Sequence, residues 1–166
     1  MISEREIDRI VKLTAEALSQ PFQSDMLDFF IEMKGRRFTV PEKWVQTEIV
    51  RKMHREKSDV NPNENRTIGY DFRVNDIRIE LKTSASFTYK RRSAGAKKNR
   101  LFDAIEEQHK DADYWMFVTK YEKEKEAKMR SELKLRGEYF CKREMIPNTS
   151  PEWCVFLIIR KSELAA

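Results

Sequence analysis

Three residues in one short stretch of this chain could bind a metal ion and activate water together. They are Asp71, Glu80 and Lys82, within Tyr70-Asp71-Phe72-Arg73-Val74-Asn75-Asp76-Ile77-Arg78-Ile79-Glu80-Leu81-Lys82. Apolar and polar residues alternate on both sides of Asn75-Asp76, which predicts strands over 68–74 and 77–82 joined by a two-residue turn. Side chains alternate faces along a strand, so Glu80 and Lys82 share one face while Ile79 and Leu81 take the other. With the turn at Asn75-Asp76, Asp71 comes level with Glu80 on the partner strand. Two carboxylates and an ammonium then meet at one sheet edge. Hard divalent cations such as magnesium take oxygen ligands, and a lysine beside them is set to orient or deprotonate a water. Without metal or solvent, three such charges on one face would be costly to bury. The plain alternative is a solvated amphipathic hairpin whose charges face water.

The Glu-x-Lys pattern alone decides little, because it occurs four times, at Glu32, Glu80, Glu126 and Glu132. The other three fall in predicted helices, where residues two apart do not share a face. A second clue lies just downstream. Lys90, Arg91, Arg92, Lys97, Lys98 and Arg100 fall within eleven residues that hold no acid, in a chain whose net charge is only +5. Ser93-Ala94-Gly95-Ala96 sits among them, as expected of a loop that orders around a polyanion. Phosphate contacts from such a loop make binding steeply salt-dependent; a solvated basic loop is the alternative. Glu48 stands beside the apolar positions Val45 and Ile49, and Gln108 shares a helix face with Leu101 and Ile105; for both, a solvated or structural role is the plain reading. His54 and His109 are expected at the surface, with no partner for nucleophilic catalysis.

These side chains need a framework, and the periodicities supply one. Ser3-x-x-Glu6 reads as a capping box opening a helix through Ile7, Ile10, Val11, Thr14 and Leu18. A second helix is expected over 24–33, with Gly35 past its end, and a third from Pro41 through Met53. Residues 59–65 are turn-rich. After the hairpin, 83–99 reads as a loop, 100–110 as a helix and 114–119 as a buried central strand. A charged helix is expected over 123–136, self-paired and solvent-exposed, with a thin stripe at Met129, Leu133 and Leu135. Strands over 139–146 and 153–160 complete the chain. The order predicts one α/β (α+β) layer fold, a mixed sheet flanked by helices. Composition agrees with a single domain over 1–166: 40% hydrophobic residues suffice for a core, although 37% are charged. Cys141 and Cys154 are too few for a Cys-ligated zinc site, and disulfide stapling is not expected. The run 153–159 is too short to span a bilayer, and the N-terminus is charged at once. A cytoplasmic protein without membrane attachment is expected.

The hairpin segment resembles the PD-(D/E)xK nuclease superfamily. Its restriction-endonuclease-like core carries an aspartate and then Glu-x-Lys on a hairpin, here Asp71, Glu80 and Lys82. Tyr70 stands where the family often has proline. The resemblance spans roughly 41–119, leaving a helical part over 1–40 and a helix with strands over 121–166 outside the 41–120 core. It implies a magnesium-dependent endonuclease acting on double-stranded DNA, most like a small type II restriction enzyme. Asp71, Glu80 and the Leu81 carbonyl would hold Mg2+, with Glu48 reaching a second metal. Lys82 would position the attacking water, leaving 5′-phosphate and 3′-hydroxyl ends. Lys90, Arg91, Arg92, Lys97, Lys98 and Arg100 would hold DNA. Double-strand cleavage implies a homodimer or sequential nicking, with the helices before residue 34 as candidate dimerisation or recognition elements. A structure-specific repair or Holliday-junction nuclease, and a non-catalytic nucleic-acid-binding module, are the competing expectations.

Overall fold

The turn at Asn75-Asp76 sets the register of everything around it. In the computed structural model, which describes residues 1–19, 29, 41–62, 70–84 and 112–165, β2 (Phe72–Val74) and β3 (Ile77–Ser84) form an antiparallel hairpin with Val74 opposite Ile77 and Phe72 opposite Ile79. Asn75 takes the left-handed backbone, φ 52°, a conformation that asparagine tolerates better than most residues. The turn is pinned from two sides. The Asn75 backbone N–H donates to the Asp59 carbonyl at 2.6 Å, and its side-chain amide to Glu6 Oε1 at 2.8 Å.

Around the hairpin lies a six-stranded mixed sheet. β1 (Val60–Pro62) borders β2, and β4 (Tyr114–Lys120) runs parallel to β3 on its other side. β6 (Trp153–Arg160) and β5 (Tyr139–Met145) complete the order β1-β2-β3-β4-β6-β5, both pairings antiparallel. Arg78 staples the start of the parallel pair: its guanidinium reaches both carboxylate oxygens of Asp113 at 3.2 and 3.0 Å, while the Asp113 N–H donates back to the Arg78 carbonyl.

Each sheet face buries a different cluster, as strand alternation requires. On one face Ile79, Leu81, Met116, Val118, Val155 and Leu157 pack with α1 (Glu4–Ala17) and α2 (Pro41–Arg55). These helices contribute Ile7, Ile10, Val11 and Val45, Ile49, Met53, at helical spacing. Ser3 caps α1, its hydroxyl accepting from the Glu6 N–H at 3.2 Å. On the other face Trp115, Phe117, Cys154, Phe156 and Ile158 pack with Met129 and Leu133 of α3 (Lys123–Arg136). No described helix is long and apolar enough to cross a membrane.

Four expectations change. Residues 60–62, read as turn, form an edge strand ending in Pro62, a residue that edges tolerate because it withholds a ladder donor. The hairpin's second strand runs on through Thr83 and Ser84. Leu135 leaves the α3 stripe and is 87% exposed, being two positions from Leu133. α3 is also less solvent-facing than expected, since Glu126 is buried with Met129 and Leu133. The helix expected over 100–110 lies outside the described residues, as do Gly35 and, Phe29 excepted, the helix expected over 24–33.

Candidate active site

The hairpin ladder breaks step where Asp71 enters. Phe72 sits opposite Ile79, yet the next bond runs from the Asp71 N–H to that same Ile79 carbonyl, at 2.9 Å. The neighbouring donor, the Leu81 N–H, goes to the Asp71 side chain, Oδ2 accepting at 2.7 Å. A carboxylate thereby takes the place of a backbone acceptor, and its short charge-assisted bond fixes Asp71 against β3. Within an extended strand the N–H and C=O of one residue point to the same neighbour. The Leu81 carbonyl is therefore on the Asp71 flank.

Glu80 and Lys82 flank Leu81 on the opposite sheet face. Glu80 Oε1 lies 3.0 Å from Lys82 Nζ. Glu80 is 5% exposed, whereas the Lys82 side chain is 22% exposed. A carboxylate that deep needs a cation, and the lysine reaches it from the more open side. The parallel register puts Glu80 beside Trp115 and Lys82 beside Phe117, so the pair is backed by aromatic side chains. The ion pair joins Glu80 to Lys82, while Asp71, expected level with Glu80, steps out of the ladder and is tied by its carboxylate to the backbone of Leu81 between them.

Glu48 is not brought to them. It pairs with Arg51 on its own helix at 3.7 Å. From the same helix Gln46 reaches the site instead, its side-chain amide donating to the Asp71 carbonyl at 3.1 Å. Residues two apart on a helix leave about 200° from each other. Gln46 and Glu48 therefore lie on opposite flanks of the Val45–Ile49–Met53 stripe, and Lys52, on the Glu48 flank, contacts Glu16 of α1 at 3.4 Å. Periodicity locates the buried stripe but leaves open which flank faces the hairpin. His54 is exposed, as expected, and lines a groove of about 370 Å³ with Gln46, Thr47, Val50, Arg51 and Pro62. Lys90, Arg91, Arg92, Lys97, Lys98, Arg100, Gln108 and His109 lie outside the described residues.

As a metal site the arrangement offers the carboxylates of Asp71 and Glu80 and the carbonyl of Leu81. Among the described residues no group of three or more acidic, histidine or cysteine side chains is arranged to hold a metal ion. That donor set suits magnesium, which keeps several waters and needs only one or two carboxylates. It does not suit zinc, which favours nitrogen and sulfur. No family model, curated protein or solved structure matches the chain.

Proposed function

We propose that the chain is a magnesium-dependent DNA endonuclease of type II restriction character, built on a restriction-endonuclease-like core. The observation that carries this reading is the 2.7 Å bond from the Leu81 N–H to Asp71 Oδ2, which holds an aspartate beside a Glu80–Lys82 pair. The order of elements supports the core: helix α2, the antiparallel β1, β2 and β3, then β4 parallel to β3. In this reading Asp71, Glu80 and the Leu81 carbonyl hold Mg2+. The ion supplies Lewis acidity to the phosphodiester. Glu80 directs Lys82 through their 3.0 Å ion pair, and Lys82 Nζ holds the attacking water by a hydrogen bond. Attack at phosphorus, with the water's proton passing to solvent, expels the 3′ oxygen, which takes a proton from solvent, leaving a 5′-phosphate and a 3′-hydroxyl. The partner is double-stranded DNA. One centre cuts one strand, so a homodimer would place two centres across a duplex. Two free cysteines suit a reducing cytoplasm.

The test is plasmid cleavage by the wild type, Lys82→Ala and Asp71→Asn, each checked for folding by circular dichroism, with magnesium or with EDTA. Discrete fragments from the wild type in magnesium alone, lost in both variants, are the expected result. Magnesium-dependent nicking without discrete bands keeps the nuclease and replaces restriction by structure-directed cleavage. Duplex binding that ignores magnesium, with no cleavage of plasmids from several sources, removes the catalytic assignment and leaves a binding module.

A further inference from the structure

The second sheet face carries a charged cluster that the proposed centre does not use. Glu126, in α3, is 6% exposed, and a single oxygen of its carboxylate accepts from two guanidinium groups. Arg130 Nε, one helical turn on, lies 3.0 Å from Oε1, and Arg143 Nε, from β5, lies 2.9 Å from it. Each guanidinium also covers a ring: Arg130 lies over Phe156 at 5.1 Å and Arg143 over Tyr121 at 5.0 Å. Both arginines are thus oriented through Nε and ring face. Among the described residues nothing accepts from their Nη groups, and both side chains remain partly exposed, at 43% and 33%. Two guanidiniums against one carboxylate leave a single positive charge. Oriented Nη donors with that excess match one phosphodiester, which guanidinium groups bind in forked geometry.

Strand register ties this cluster to Lys82. Lys82 pairs with Phe117, Phe117 with Phe156, and Phe156 with Arg143. Residues paired across a sheet share a face, so these four form one row, with Lys82 and Arg143 at its ends and Arg130 above Phe156. Three strand spacings of about 4.8 Å make the row about 14 Å long. We propose that Arg130 and Arg143, held by Glu126, bind a backbone phosphate of duplex DNA about 14 Å from the bond cut at the Asp71, Glu80 and Lys82 centre. The inference rests on the nuclease reading for its substrate.

The test compares wild type with Arg130→Gln/Arg143→Gln on a defined duplex, measuring affinity against salt in EDTA and cleavage in magnesium. Because that variant strands a buried carboxylate, Glu126→Gln/Arg130→Gln/Arg143→Gln is made beside it. We expect the log–log salt slope to shrink by about 0.9, the share of one phosphate, and KM to rise about tenfold with kcat unchanged. Cleavage by the wild type, with slope and KM the same in a folded variant, overturns the phosphate site and leaves the nuclease standing. A wild type that binds but does not cut, with the slope reduced in the variant, overturns the nuclease and keeps the phosphate site. Absence of salt-dependent binding by the wild type overturns both. Phenylglyoxal labelling of wild-type protein needs no substitution: duplex DNA should protect Arg130 and Arg143, and equal labelling with and without DNA also overturns the site.

Discussion

Asp71 has a structural task and a proposed chemical one, and substitution separates them. Its carboxylate accepts the Leu81 N–H, so Asp71→Ala leaves a strand donor without its acceptor, at a cost of about 1–3 kcal/mol. Asp71→Asn retains an oxygen acceptor and should unfold within about 1 kcal/mol of the wild type in urea. Both should lose magnesium-dependent cleavage by at least about 100-fold, equivalent to about 2.7 kcal/mol of transition-state stabilisation. A folded Asp71→Asn that still cuts would show that Asp71 only braces the hairpin. Magnesium itself gives an independent readout. If Asp71 and Glu80 hold it in the native state, stability should rise by about 1.4 kcal/mol per tenfold increase in free ion once the site fills. Calorimetric scans over a magnesium series should show this rise in the wild type and its absence in Asp71→Asn. The shared face of Glu80 and Lys82 was legible in the chain because it depends only on alternation, whereas the step in the ladder that turns the Asp71 carboxylate to the Leu81 N–H was not. Glu48 and Gln46 were not separable, since the choice between them depends on how α2 docks.

At the scale of elements, α3 shows how local chemistry can define an end. Gly137 follows its last turn with φ 73° and donates to the Leu133 and Lys134 carbonyls. An added Cβ there meets nothing within 4 Å. The cost of Gly137→Ala therefore comes from the left-handed backbone alone, about 1–2 kcal/mol. For a chain of this size each kcal/mol lowers the melting temperature by about 2–4 °C. A melting temperature unchanged by Gly137→Ala would mean that α3 can end another way. Elements with a strong local pattern were readable: α3 and β6 fall where periodicity puts them, and α1 starts where Ser3 caps it. β1 was not, because Val60-Asn61-Pro62 has turn composition and becomes a strand only by pairing with β2. Its existence depends on contacts with residues ten or more positions away, which no local pattern contains. The same reason extends β3 beyond Lys82: Thr83 and Ser84 pair with Val118 and Thr119 of β4.

At the scale of the whole molecule, the two thiols couple folding to alkaline pH. Burial pushes the Cys141 thiol up to about 11 and the Cys154 thiol up to about 12, from an ordinary 9.0. Neither can pair with the other in this fold, since Cys154 faces Met145 and Cys141 faces Ile158 across β5 and β6. Both are free. A thiol whose pKa is raised in the native state holds its proton when the unfolded chain has already lost it. The stability it contributes is complete below about pH 9 and declines as pH climbs through the native values. At pH 10 the unfolded chain has surrendered both protons and the folded chain almost neither, which weakens folding by about 3 kcal/mol for the pair. Urea midpoints at pH 8 and pH 10 measure this, and the buried Tyr114 hydroxyl, also pushed up, adds a smaller loss near pH 10, where the unfolded chain has given up about half of that proton. Cys141→Ala/Cys154→Ala should lose less stability between the two pH values than the wild type by that amount. It starts lower at pH 8, because truncating a buried side chain leaves a small void. An equal fall in both proteins would assign the alkaline loss to groups other than the thiols and would mean that water reaches Cys154 in the native sheet.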